Sequence, residues 1–179
     1  MMAAKAYAPL QVCLHWLMAV LIVATLGGGF YVAGLALSPA KFRYLAWHKW
    51  AGFVVLLLVF MRLAARLRYG APALPGHMAP LARVAAHAGH LALYGLMLTL
   101  PLTGWLMSSA KGIPLVLFTV LPVPDLLAAN PELAGHLAFW HPLLAYTLAA
   151  FIGLHVLAAL KHHYLDRDGL LFRMRLRQP

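Results

Sequence analysis

Acidic residues are almost missing from this sequence. Its 179 residues include only four Asp and Glu against 14 Lys and Arg, and a single cysteine, Cys13. One cysteine excludes an intramolecular disulfide and leaves a thiolate metal site or an iron–sulfur site without partners. The four carboxylates, Asp125, Glu132, Asp166 and Asp168, lie outside the long apolar runs. Catalysis by paired carboxylates or by a nucleophilic triad is therefore disfavoured.

Charged residues of either sign are also scarce, at 10%, whereas 64% of the residues are apolar. So little polar surface excludes an ordinary soluble domain of this size. The basic residues lie at the ends of apolar runs and form no stripe interleaved with aromatic residues, so no nucleic-acid partner is predicted. The expected surroundings of the chain are membrane lipid.

Four long apolar runs account for most of the chain. They cover about residues 10–37, 45–67, 84–107 and 137–160, and each exceeds the roughly 20 residues that cross a bilayer core. The first run is too long for the ~7–15-residue apolar region of a signal peptide, so we expect it to be retained. The prediction is an all-α, integral membrane four-helix bundle that forms a single domain over residues 1–179.

The basic residues also predict the orientation of the helices. If both termini are cytoplasmic, ten of the 14 Lys and Arg lie inside, as the positive-inside rule requires. These ten are Lys5, Arg62, Arg66, Arg68, Arg83, Lys161, Arg167, Arg173, Arg175 and Arg177. Between the last two runs, the apolar patch from Ile113 to Val123 is too broken by prolines to span, and we expect it at the outer interface.

Ten histidines in a chain with so few charges need an explanation, because ionisable groups at membrane depth are costly and usually functional. On the predicted topology they sort by depth, with His15, His87, His90 and His155 toward the inner side and His48 and His141 toward the outer side. His77 and His136 fall in predicted loops and are expected to be solvated. Small residues near the others could let helices or a cofactor approach closely, or could serve helix packing alone; they include Gly52, Gly89, Gly95 and Gly153.

The spacing of His141 and His155 is the most informative in the chain. Fourteen residues are close to four helical turns, so both side chains face nearly the same way, about 21 Å apart along the axis. One helix can therefore offer an axial ligand to each of two stacked haems, opposite His15 at the inner level and His48 at the outer level. For any single histidine, a bond to a lipid headgroup, water or a helix carbonyl is the plainer interpretation. Four histidines at two matched depths favour haem.

Several short motifs occur together along these helices. They are Leu14-His15-Trp16-Leu17, His48 with Gly52, Ala86-His87-Ala88-Gly89-His90-Leu91, Trp140-His141, and Gly153-Leu154-His155 followed by Lys161-His162-His163-Tyr164. With these motifs, nearly the whole chain resembles the bacterial cytochrome b561 family, and more closely its superoxide:ubiquinone oxidoreductase branch. The resemblance implies an inner-membrane protein with two b haems that exchanges single electrons between a periplasmic donor and ubiquinone.

An oxidase of this kind needs to attract a small anion outside and to bind a quinone. Lys41, Arg43, Lys49 and Lys111 are the candidate catalytic residues, since clefts lined by one sign of charge raise the on-rates of anions. Anchoring of the helix ends at lipid headgroups is the alternative. The candidates for binding ubiquinone are His87, His90 and His162, because histidine can donate a hydrogen bond and supply a proton near neutral pH. Their alternative is an interfacial or structural role.

Two other functions remain open. One is a cytochrome b subunit that passes electrons between a periplasmic dehydrogenase or hydrogenase and quinone, for which the ligand pattern is the same. The other is a small transporter or channel whose histidines relay protons or bind a transition metal. The lack of carboxylates in the four spans and the register of His141 with His155 argue against the transporter.

Overall fold

Four long helices dominate the computed structural model, which describes residues 6–76 and 78–176. They are α1 (Pro9–Gly34), α2 (Pro39–Tyr69), α3 (Pro80–Ala110) and α4 (Pro131–Lys161). All four are long and apolar enough to cross a membrane. The predicted all-α membrane bundle is confirmed, and α2, α3 and α4 extend beyond their predicted ranges at both ends.

A proline begins each of these helices, at the position where its missing N–H costs nothing and its fixed φ suits the helix. Two helices are also capped by side chains. Ser38 Oγ accepts a hydrogen bond from Lys41 N, and Asn130 Oδ1 accepts one from Leu133 N. Helix α2 ends before Gly70, whose φ of 70° is readily adopted by glycine.

The helices pack in chain order, α1 against α2, α2 against α3 and α3 against α4. Here the inner end of the bundle is the end at which α1 begins and α4 finishes. Six buried side chains form its core, namely Met18, Ile22, Val55, Val59, Met97 and Leu148. Leu148 lies midway along α4 between His141 and His155, and the other five come from the middle parts of their helices. An apolar layer thus separates the inner half of the bundle from the outer half.

A two-stranded antiparallel hairpin interrupts the connection between α3 and α4. It pairs β1 (Leu115–Leu117) with β2 (Leu121–Val123), and its buried face packs against Trp50 and two other aromatic residues of α2 and α3. The sequence predicted a non-spanning segment here but no strands. The turn spans residues 118–120. Phe118 and Thr119 have φ of 50° and 66°, a conformation that non-glycine residues seldom adopt and that a sequence pattern does not signal.

The chain after α4 folds back across the inner end as a π-helix (His162–Asp166) and a 3₁₀ helix (Leu170–Met174). Trp16 Nε1 donates a hydrogen bond to Met174 O at 3.0 Å, and Arg173 donates one to Ala73 O at 2.6 Å. These bonds fasten the segment to α1 and to the α2–α3 loop. The assignment of the inner end to the cytoplasm stays a prediction, and two residues counted for it, Lys5 and Arg177, lie outside the described residues.

Candidate functional site

His48 and His141 face each other at the outer level of the bundle. Their ring centroids are 6.3 Å apart, and the ring planes are nearly perpendicular, at 89°. Two imidazoles that bind one metal ion from opposite sides have centroids about 6 Å apart, since each bond is about 2 Å long and the nitrogen lies about 1 Å from the ring centre. The outer pair therefore has the separation that a shared iron requires.

Hydrogen bonds leave the outer imidazoles ready to bind a metal. His48 Nδ1 lies 3.1 Å from Thr25 O, and a carbonyl can only accept, so Nδ1 carries the proton and Nε2 keeps its lone pair. His141 Nδ1 lies 3.1 Å from Thr103 Oγ1, whose own hydroxyl donates to Leu100 O at 2.7 Å. Thr103 thus also accepts, and both rings present Nε2 as a ligand atom.

Two glycines make room for the outer pair. A Cβ at Gly29 would lie 2.7 Å from His48 Cε1, and a Cβ at Gly104 would lie 3.0 Å from His141 Cε1. The glycines singled out in the sequence behave differently, because a Cβ at any of them would meet nothing within 4 Å; these are Gly52, Gly89, Gly95 and Gly153. Sequence reasoning missed Gly29 and Gly104, the two glycines beside the outer histidines, although Gly29 ends a run of three glycines in an apolar helix.

His15 and His155 form a second pair at the inner level, with ring centroids 6.2 Å apart and planes at 62°. Their separation nearly equals that of the outer pair, so it too matches the geometry of a shared metal. His90 joins this inner group, with its centroid 5.6 Å from that of His155. The structure thus brings both predicted ligand pairs together, and a third histidine, His90, lies beside the inner pair.

Arg62 also belongs to the inner group, which the sequence did not indicate. Its Nη2 lies 2.8 Å from His15 Nδ1, and its Nε donates to Tyr94 Oη at 3.2 Å. Because arginine only donates, His15 Nδ1 accepts here and its proton is on Nε2. Metal binding by His15 Nε2 requires that proton to move to Nδ1 and Arg62 to turn to another acceptor, which the outer pair does not require.

The three histidines predicted to bind quinone do not form one site. His90 lies in the inner group, whereas His87 is exposed and its Nδ1 donates to Arg83 O at 2.7 Å within α3. His162, at the inner end of α4, has its Nδ1 2.6 Å from Asp168 Oδ2. The sequence placed Asp168 only outside the long apolar runs, so its contact with His162 is a finding of the structure.

The outer basic residues also separate. Lys41 Nζ donates to Leu35 O at 2.6 Å, and Lys49 Nζ donates to Pro114 O at 3.2 Å, which ties α2 to the start of the hairpin. Arg43 is exposed. Lys111 is exposed as well and lies within electrostatic reach of His141. Of the four, Lys111 is the one within electrostatic reach of a histidine of the outer pair.

Two histidines were expected to be solvated in loops. His77 lies outside the described residues. His136 is exposed as expected, but it belongs to α4, which begins six residues before its predicted start because Asn130 and Pro131 initiate the helix earlier.

Residues 6–176 match the family model of the prokaryotic cytochrome b561. The chain belongs to this family. Cytochrome b561 homolog 2 of Escherichia coli (strain K12) is 32% identical over 172 residues, which cover 94% of this chain and 90% of the relative. The probable superoxide oxidase CybB of Yersinia pestis is 32% identical over 177 residues, covering 95% and 96%. Cytochrome b561 homolog 1 of Escherichia coli (strain K12) is 29% identical over 170 residues, covering 92% and 93%.

Membership of the cytochrome b561 family makes the chain a multi-pass membrane electron-transfer protein and implies b-type haem. The described residues fit such a group. The outer pair has both the separation and the protonation state that two histidine ligands of one haem iron would need, and the inner pair has the separation. Trp105 follows Gly104 in α3. Its Nε1 is buried without a hydrogen-bond partner among the described residues, and an acceptor on a bound group would satisfy it.

Proposed function

We propose that this cytochrome b561 oxidises superoxide to dioxygen at its outer face and reduces ubiquinone at its inner face, one electron at a time. Two superoxide anions supply two electrons, and with two protons these convert one ubiquinone to ubiquinol. Two b haems would be held by His48 with His141 and by His15 with His155, and when bound they would supply the one-electron redox chemistry at two depths.

The matched pairs on α4 are the observation that carries this proposal. His141 and His155 each face a histidine of another helix, at 6.3 Å and 6.2 Å between ring centroids. They lie about 21 Å apart along the helix axis, and the apolar core around Leu148 fills the space between the two levels. Such an arrangement connects the two faces of a membrane for electrons without opening a path for water.

Superoxide as the donor is supported by the charges of the outer end and by the name of one relative. A small anion is attracted by exposed positive charge, which Lys111 and Arg43 supply, and Lys111 lies within electrostatic reach of His141. One relative that covers nearly the whole chain bears the name probable superoxide oxidase. Lys41 and Lys49 serve this role less directly, because their ammonium groups donate to backbone carbonyls and so shape the outer end.

Quinone reduction at the inner end is supported by the pairing of His162 with Asp168. A quinone carbonyl needs a hydrogen-bond donor and then a proton, and an imidazole held by a carboxylate can provide both. Ten of the 14 basic residues in the sequence were counted for the inner side, which supports a cytoplasmic position for the inner end and for the proposed quinone site.

Purified protein in detergent tests the proposal. We expect two b haems per chain by haem quantification, and superoxide should reduce them and then a soluble ubiquinone. His141→Ala and His155→Ala should each lose one haem. His136→Ala, an exposed change on the same helix, should lose neither.

Other outcomes point elsewhere. Two haems that superoxide does not reduce would overturn the oxidase and favour a cytochrome subunit that receives electrons from a dehydrogenase or hydrogenase. A colourless protein would overturn both functions and leave the transporter.

A further inference from the structure

Arg62 places a positive charge inside the inner half of the bundle. It lies on α2 and is half-buried, and its guanidinium contacts two other helices. Nη2 is 2.8 Å from His15 Nδ1 on α1, and Nε donates to Tyr94 Oη on α3 at 3.2 Å. The guanidinium carbon also lies 5.7 Å from the centre of the Tyr94 ring. The charge is therefore held beside the inner histidine pair.

No carboxylate among the described residues forms a salt bridge with Arg62. Asp166 and Asp168 are engaged at the inner end by Lys161 and His162. Asp125 and Glu132 follow α3 and begin α4, at the outer end. A cation in a membrane-spanning helix is costly when no carboxylate among these residues pairs with it, so its presence there indicates a function.

Among the residues that the structure describes, no comparable charge contacts the outer pair. Its ring nitrogens meet neutral groups, the carbonyl of Thr25 and the hydroxyl of Thr103. Lys111 lies within electrostatic reach of His141, but its side chain is exposed, so water and salt screen its charge. At the inner level, Arg66 adds a second cation within electrostatic reach of His90. The two levels therefore differ in positive charge.

We propose that Arg62 raises the reduction potential of the inner haem and so directs electrons from the outer level to the inner one. This inference rests on the proposed function. Reduction lowers the charge at the iron by one, so a nearby cation favours the reduced form. The bond to Tyr94 keeps the guanidinium close when the His15 proton moves to Nδ1, since arginine has donors enough for other acceptors.

Equilibrium redox titration of the haem absorbance in the purified, haem-loaded protein tests this role. We expect Arg62→Gln to shift the reduction equilibrium of the inner haem about tenfold toward the oxidised form, which lowers its potential by about 59 mV. Arg62→Lys keeps the positive charge, so the potential of the inner haem should stay close to that of the unaltered protein. Arg68→Gln removes an exposed arginine further along α2 and should change neither haem.

His141→Ala, by removing the outer haem, identifies which of the two titrating components is the inner one. An inner potential that stays the same or rises in Arg62→Gln overturns the inference; a rise would mean that Arg62 stabilises a deprotonated, anionic His15. Loss of the inner haem from both Arg62 variants would also overturn it, since Arg62 would then be structural. Fewer than two haems in the unaltered protein would instead overturn the proposed function, and this inference with it.

Discussion

His162 Nδ1 lies 2.6 Å from Asp168 Oδ2, and this carboxylate is almost completely enclosed. Only 2% of the Asp168 side chain is exposed, against 22% for His162. Its other oxygen accepts a hydrogen bond from Leu170 N at 3.1 Å, which holds the carboxylate in place. A buried carboxylate in this position fixes the orientation of the imidazole.

Asp168→Asn should therefore slow quinone reduction while the haems are still reduced normally. The amide keeps the shape of the side chain but not its charge, and we expect quinone reduction to fall about tenfold or more because proton delivery is impaired. Stopped-flow absorbance measures haem reduction by superoxide and haem reoxidation by ubiquinone separately. Glu132→Gln, in the first turn of α4, is the matched control. If haem reduction slowed equally, Asp168 would be a structural residue only.

Gly29→Ala should reduce binding of the outer haem. The new Cβ would lie 2.7 Å from His48 Cε1, so the ring must shift from its position, and such a displacement costs about 10–100-fold in metal affinity. Haem quantification and the oxidised spectrum measure the loss. Gly27→Ala lies on the same helix with nothing within 4 Å of its Cβ, and it should leave haem content unchanged. Equal haem content in both variants would contradict the assignment of His48 as a ligand.

The inner ligand is tested by comparing His15→Ala with His90→Ala. The 6.2 Å separation of His15 and His155 matches a shared iron better than the 5.6 Å separation of His90 and His155. We expect His15→Ala to lose one haem and His90→Ala to keep both but to alter quinone reduction. Haem quantification and low-temperature spectra distinguish the two haems. Loss of a haem in His90→Ala with both retained in His15→Ala would reverse the assignment.

Lys111→Gln should slow reduction of the outer haem by superoxide. An exposed cation near His141 raises the local concentration of a small anion, and its removal should lower the second-order rate about tenfold at low salt. The difference from the unaltered protein should shrink as ionic strength rises, because salt screens exposed charges. Glu132→Gln again serves as an exposed control of the opposite sign. A rate that is unaffected at every salt concentration would favour the alternative role at lipid headgroups.

Much of this molecule follows from local properties of the chain. Hydrophobicity over about 20 residues predicted the four helices, because a bilayer core admits little else. Helical periodicity placed His141 and His155 on one face of α4, and the structure shows each of them opposite a histidine of another helix. Helix ends were predicted less well, because Ser38 and Asn130 start α2 and α4 earlier than hydrophobicity alone indicates.

What surrounds the histidines was decided only by the tertiary structure. Arg62 contacts His15, 47 residues away in the sequence, and Gly104 of α3 lies beside His141 of α4. Both contacts depend on how the helices rotate against each other. The contact of His162 with Asp168 depends on the π-helix that follows α4 and on Arg167, a residue in the left-handed conformation that ends this π-helix. The sequence by itself determined which residues lie at which depth, because depth follows from the rise along each helix. The contacts that adjust those residues for their chemistry follow from packing between helices, which no single segment specifies.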